Sequence, residues 1–247
     1  MSPLSVAASG LRAGARVAAT GATATVTAAR LSLLERGGAR RRDRARALRD
    51  ACRRFLALHG VEVEARGAVP PGAAIVVANH VSWLDPLVVA SLVPCAPISK
   101  LEVGGWPVVG PLARRLGVIF HDRGAPGSGR RVLLEAGAAL AAGLPVLNFP
   151  EGTTTEGRRV LAFRPGLFAL ARRAGVPVVP AALRYHPVEL AWTGDATFVP
   201  HYLRLAAGDA ARVELRLGAP IAADAAPGAE ALARHVRDAV VGLLEGP

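Results

Sequence analysis

The sequence predicts a single α/β domain, a mixed sheet covered by helices on its faces, preceded by a basic N-terminal helical arm. Three observations carry that prediction. From residue 61 onward, apolar runs of strand length alternate with amphipathic runs of helix length. Proline marks helix starts and glycine follows helix ends along the same stretch. The 247 residues are 51% hydrophobic but only 4% aromatic, enough for one sizeable core built from Ala, Val and Leu.

The arm is assigned to residues 1–60 and the domain that carries the chemistry to residues 61–247. Residues 1–35 are rich in Ala, Thr, Gly and Ser without firm periodicity, which predicts a loosely ordered or weakly helical segment. Arg36–Arg46 leads into an amphipathic helix whose Ala45, Leu48, Cys52, Phe55, Leu56 and His59 share one face, with Gly60 as its stop. The net charge of +11 is concentrated here, because residues 1–54 hold 12 arginines against Glu35, Asp43 and Asp50. Such a helix is either a surface helix with solvated arginines or a contact to an anionic membrane, where each Arg near the headgroups contributes about 1 kcal/mol. Nucleic acid is not indicated as a partner, since no interleaved aromatics or zinc-ligand spacing accompany the arginines. The most apolar stretch, Val17–Ala29, is broken by threonines and Gly21 and reads as too short and too polar to span a bilayer, which needs about 20 residues.

The domain follows element by element. Val61–Ala65 alternates with period two and predicts an edge or half-exposed strand; Ala73–Ala78, after Pro70-Pro71-Gly72, predicts a buried one. Asp85 as N-cap and Pro86 at the first helical position open the next helix. Pro97–Lys100 is extended, Trp106–Leu116 helical, Gly117–His121 a strand, and Ser128–Ala142 a helix ended by Gly143. Pro145–Phe149 is a strand, Pro165–Ala174 a helix closed by Gly175, and Pro177–Tyr185 extended, with Pro180 arguing for a bulge or an edge. Val213–Leu217 and Gly228–Leu244 complete the chain as strand and helix. Cys52 and Cys95 are too few for a disulfide framework and lack metal-ligand spacing, so both are read as buried thiols in a reducing compartment.

Chemistry-bearing residues collect where buried strands end. Asn79-His80-Val81-Ser82-Trp83-Leu84-Asp85 places a histidine and an aspartate in one bend, where the carboxylate can hold one imidazole nitrogen and leave the other facing a cleft. His121-Asp122-Arg123-Gly124 puts Arg123 after a second strand. Phe149-Pro150-Glu151-Gly152-Thr153 puts a carboxylate in a tight turn after a third, and Arg164 precedes a Pro-started helix. Arginine forks suit phosphate, and a glycine turn lets backbone approach a ligand.

Asn79-His80-x4-Asp85, Gly117–Arg123, Phe149–Thr153 and Val176-Pro177-Val178-Val179-Pro180, in this order, resemble the four motifs of the 1-acylglycerol-3-phosphate acyltransferase (PlsC-like) family of glycerolipid and lysophospholipid acyltransferases. The resemblance implies acyl transfer from acyl-CoA or acyl carrier protein, as co-substrate, to the hydroxyl of a lysolipid, with no other cofactor and no metal. It implies His80 as general base and Asp85 as its orienter. Arg123, Glu151, Gly152 and Thr153 would bind the acceptor, Arg123 through a phosphate, with Arg164 beside them. No Gly-x-Ser-x-Gly elbow supplies a serine nucleophile, so no acyl-enzyme is expected, and Ser82 reads as a turn residue. The expected acceptor is 1-acylglycerol-3-phosphate, giving phosphatidic acid, at the cytoplasmic face of the membrane with the enzyme bound peripherally. A second acceptor stays open. Ala191-Trp192-Thr193-Gly194-Asp195 with Pro200-His201 is similar to a stretch in bacterial relatives that include lyso-ornithine lipid acyltransferases, whose acceptors lack a phosphate. A basic membrane-binding protein without catalysis is the reading of another class, and the His80–Asp85 pair counts against it.

Overall fold

Strands β1 (Val61–Arg66), β2 (Ile75–Ala78), β3 (Ala96–Lys100), β4 (Ile119–His121), β5 (Val146–Asn148), β6 (Val178–His186) and β7 (Ala211–Leu217) form one sheet in the order β1-β7-β6-β2-β5-β3-β4. The computed structural model describes residues 3–38, 40–186, 190–192 and 197–246. Every neighbouring pair is parallel except β6 and β7, so the sheet is mixed, as predicted. β1 lies at one edge, in keeping with its alternating sequence. β2 lies in the middle and is buried on both faces.

The period-two alternation of β2 feeds two cores. Val76 and Ala78 face one layer, where they meet Leu48, Cys52 and Leu56 of α2 (Arg41–Leu58), Val88 of α3 (Asp85–Leu92) and Leu205 of α7 (Phe198–Ala207). Ile75 and Val77 face the other, formed by α5 (Ser128–Ala141), α6 (Gly166–Ala174) and α8 (Ala229–Glu245) through Ala136, Phe168 and Val236. α2 is thus part of the first core, although the charge on its outer face is what the sequence advertises. Its Cys52 is buried, as is Cys95, and burial pushes the Cys52 thiol up to about 12.

Several local expectations need correction. Residues 3–36 are not loosely ordered; they form one continuous helix, α1 (Pro3–Arg36), about 50 Å long at 1.5 Å per residue. Alanine favours the helix, and Thr20, Thr25, Thr27 and Ser32 turn their hydroxyls back onto carbonyls four residues earlier, at 2.8–3.1 Å. With that polarity folded inward, Ala7–Arg36 is long and apolar enough to cross a membrane by length and composition. The domain nevertheless holds both its ends. Arg12 and Arg16 donate to the Gly208 carbonyl, and Arg115 donates to Ser32 and Glu35.

The other corrections concern proline and one valine. α4 begins at Val109, not Trp106, because Val108 (φ 64°) centres a γ-turn closed by the Val109 N–H on the Pro107 carbonyl at 2.7 Å. Pro180 is in a central strand rather than at an edge, and the antiparallel pairing beside it slips by one residue between Ala181–Leu217 and Val178–Ile221, a bulge-like irregularity in keeping with the first of the two expectations. Pairing of β6 with β7 starts one residue later, at Ala181 with Leu217, so the missing donor falls where the neighbouring strand has ended. The sequence reading assigns no element between Tyr185 and Val213, where the structure places α7. Pro200 lies in the first turn of that helix, where N–H groups have no partner within the helix.

Candidate active site

The site is built around the point where β2 stops. Past Ala78 the backbone leaves the sheet, and the Asn79 side chain takes over its pairing. Its Nδ2 donates to the Leu183 carbonyl at 3.0 Å and its Oδ1 accepts the Leu183 N–H at 2.8 Å. The bend that follows is held on every side. The His80 N–H donates to Glu151 Oε1 at 2.7 Å, the His80 carbonyl accepts the Thr155 N–H at 2.8 Å, and the Val81 carbonyl accepts the Trp192 N–H at 2.8 Å.

The structure brings His80 and Asp85 together, with Nδ1 of the ring 2.7 Å from Asp85 Oδ2. The imidazole stacks on Phe149, ring centroids 4.4 Å apart, and its side chain stays 18% exposed. Asp85 begins α3 but does not cap it. Pro86 follows at the second helical position, and the carboxylate turns back into the bend. There Oδ2 accepts the Val81 and Ser82 N–H groups at 2.6 and 2.9 Å, and Oδ1 accepts the Tyr185 hydroxyl at 2.5 Å. The carboxylate is fully buried with both oxygens occupied, an arrangement that stabilises an anion. Since Nδ1 donates to that anion, the neutral ring presents Nε2 as a lone pair toward the open side. Ser82 Oγ accepts the Leu84 N–H at 3.4 Å, which makes it the turn residue its position suggested.

Glu151 is buried, and its carboxylate braces the backbone. Oε1 takes the His80 N–H, and Oε2 takes the Leu161 N–H at 2.8 Å. Burial raises its proton affinity, and the two backbone bonds oppose that shift. Gly152 follows with φ 77°, a conformation only glycine adopts cheaply, and a Cβ there would come within 2.8 Å of the Arg164 Cζ. Arg123 donates to the Gly152 carbonyl, so both arginines meet at this one residue. Desolvation and the like charge of Arg164 hold Arg123 below its ordinary value, and burial and the same two cations lower His121. Thr153 is exposed at the lip of the turn. The result is a carboxylate-held histidine on one side of the Phe149–Gly152 turn and an electropositive corner on the other, at the ends of parallel strands β2, β4 and β5.

Sequence reasoning passed over what Tyr185 and Asn79 do, and named His201 only as part of a stretch. Tyr185 is one of two tyrosines in the chain, and a tyrosine in a buried strand needs a partner for its hydroxyl. Asn79 was read only as part of a motif. His201 is buried and its Nδ1 accepts the Trp83 indole N–H at 2.9 Å, so it supports the bend from behind. Thr193, Gly194 and Asp195, singled out beside it, lie outside the described residues.

A family model described as acyltransferase matches residues 60–184, which contain the bend, the turn and both edges of this site. The chain belongs to the acyltransferase family. Two kinds of named acyltransferase are among its relatives. A lyso-ornithine lipid O-acyltransferase of Pseudomonas aeruginosa is 36% identical over 192 residues, covering 76% of this chain and 74% of the relative. A 1-acyl-sn-glycerol-3-phosphate acyltransferase of Neisseria gonorrhoeae is 34% identical over 143 residues, covering 58% and 54%. Among solved structures, the 1-acyl-sn-glycerophosphate acyltransferase PlsC of Thermotoga maritima is similar with a TM-score of 0.66 and 27% identity. That match covers 83% of this chain and 80% of the other.

Proposed function

We propose that this acyltransferase moves a fatty acyl group from a thioester, acyl-CoA or acyl carrier protein, to the hydroxyl of a lysolipid, with His80 as general base. The single observation that supports this most directly is the His80 Nδ1 to Asp85 Oδ2 bond of 2.7 Å, with the opposite nitrogen left for substrate. Nε2 takes the hydroxyl proton as the oxygen attacks the thioester carbonyl. The tetrahedral intermediate collapses with cleavage of the C–S bond, and the imidazolium returns the proton to the departing thiolate. Asp85 stabilises the imidazolium throughout. Glu151 acts by fixing the His80 backbone, while Arg123, Arg164 and the Gly152–Thr153 turn receive the anionic head of the acceptor.

Two acceptors fit that corner. The lyso-ornithine reading draws on the relatives matched over about three quarters of both chains, and an ornithine carboxylate would occupy the arginines. The 1-acylglycerol-3-phosphate reading draws on the Thermotoga maritima structural neighbour and would put a phosphate there. Acyl transfer from a labelled acyl thioester to each lysolipid, by the wild type and His80→Ala, tests both levels. The acceptor that turns over names the substrate, and activity unchanged in His80→Ala would sink the base assignment.

The outer face of α1 supports a membrane contact. At 100° per residue, exposed Leu11, Val26 and Leu33 fall within an arc of about 60°, and the positions between them on that arc are alanines. α1 packs on α7 and α4, whose Val199, Leu203 and Val109 are also exposed, and Trp106 stacks on Phe198 at 3.9 Å between those two helices. With both ends of α1 tied to the domain, the helix lies in the headgroup layer as a peripheral contact to an anionic surface, on the cytoplasmic face.

A further inference from the structure

We propose that Tyr185 is the third member of the catalytic chain: its phenol fixes the Asp85 carboxylate so that Oδ2 serves His80, and moderates how strongly that carboxylate holds the imidazole proton. The inference rests on His80 being the base. Three donors converge on Asp85 Oδ2, namely the Val81 and Ser82 N–H groups and His80 Nδ1, whereas Oδ1 has the Tyr185 hydroxyl. At 2.5 Å this bond has the length of a charge-assisted O–H···O⁻ contact. Tyr185 is buried on β6, where phenylalanine would fill the same volume without a polar atom to satisfy, so the hydroxyl is explained by the carboxylate it meets. The strand is also held in register with the bend, because Leu183, two residues earlier, is the partner of the Asn79 side chain. Tyr185 meets the base only through Asp85, which makes it a positioning residue.

The bond has a directional consequence. Each donor withdraws charge from the carboxylate and weakens its pull on the imidazolium. Among the described residues, the titratable groups facing the pair are Tyr185 from β6 and Glu151 from the turn after β5, whose oxygens are engaged by the His80 and Leu161 N–H groups. α3 and the Phe149 ring offer no further charge there. Removing the phenol therefore leaves a carboxylate that grips the imidazolium more tightly and is less well oriented.

The test is Tyr185→Phe. The expected result is a fall in kcat of about tenfold, equivalent to about 1.4 kcal/mol, with KM little changed. The acid limb of the pH–kcat/KM profile should move to higher pH. The opposite perturbation uses 3-fluorotyrosine, a more acidic phenol and a stronger donor. The chain has two tyrosines, so incorporation into Tyr202→Phe replaces Tyr185 alone. There the acid limb should move to lower pH. Limbs that stay in place, with only a lowered melting temperature in Tyr185→Phe, would overturn the proposal by making the hydroxyl purely structural. The downfield proton resonance of His80 Nδ1–H, recorded without substrate, separates this idea from the one beneath it. A resonance shifted downfield in Tyr185→Phe upholds the link to Asp85 even if His80→Ala remains active and the base assignment fails. An unmoved resonance beside an inactive His80→Ala overturns the role of Tyr185 alone.

Discussion

Glu151→Gln changes one oxygen to an amide nitrogen and leaves the shape of the side chain intact. In the wild type both oxygens accept a backbone N–H, from His80 at 2.7 Å and from Leu161 at 2.8 Å, in a residue only 5% exposed. Glutamine can accept one of them. Its NH₂ must then face the other N–H, donor against donor, in a buried site. A bond to a charged acceptor contributes about 1.5–3 kcal/mol, and leaving a buried donor unsatisfied costs about 1–3 kcal/mol. The burial that raises the proton affinity of Glu151 offsets part of that sum, because the ionised wild-type carboxylate already carries a desolvation cost. A net loss of about 3 kcal/mol remains, which in a chain of this size lowers the melting temperature by about 6–12 °C. Thermal unfolding followed by circular dichroism measures it, with acyl transfer assayed well below the new midpoint. Activity should fall as well, since the His80 backbone loses its tie. A midpoint within about 1 °C of the wild type, together with a raised KM for the acceptor, would refute the reasoning and make Glu151 a direct substrate contact.

Further outcomes follow from neighbouring features. Gly152→Ala, at φ 77° and with its Cβ within 2.8 Å of the Arg164 Cζ, should displace that guanidinium and raise the acceptor KM about tenfold with a smaller effect on kcat. Unchanged steady-state kinetics would remove Arg164 from the acceptor corner. His59 and His201 both have lowered proton affinity, chiefly through burial, so the unfolded chain binds protons more readily than the folded one. Stability should therefore decline as pH falls below about 6.5, and His201→Gln, which can still accept the Trp83 indole N–H, should flatten part of that decline in melting curves between pH 7 and 5. Replacing Leu11, Val26 and Leu33 together by Glu should weaken binding to anionic vesicles at least 100-fold in flotation assays, because each apolar side chain contributes about 1.5–3 kcal/mol when fully buried. Undiminished flotation would place the membrane contact elsewhere.

The strands, the bend and the turn were legible because their signals are local: a run of Ile and Val, a His and an Asp five positions apart, a glycine in a turn. What escaped reading depends on contrast or on distance. The outer stripe of α1 is made largely of alanine, so it generates little hydropathy difference, and the threonines that look polar bond their own helix. α7 drew no assignment at all, and Pro200 in its first turn is a position where a helix tolerates proline. The γ-turn at Val108 cannot be inferred from composition, since a β-branched residue at positive φ runs against its own preference. Tyr185 and Leu183 lie 100 and 104 residues from their partners, separations that no spacing rule encodes. They became visible only once β6 was placed beside β2.

That separation also orders events during synthesis. The loop from His80 to Asp85 closes over five residues and needs only the start of α3. The Asn79 bracket and the last oxygen of Asp85 must wait for β6, about a hundred residues later. A nascent chain therefore carries its histidine and aspartate out of the ribosome long before it can use them. The His80–Asp85 pair gains its last bonds only when β6 has docked beside β2, so truncated or stalled products hold an unfinished site.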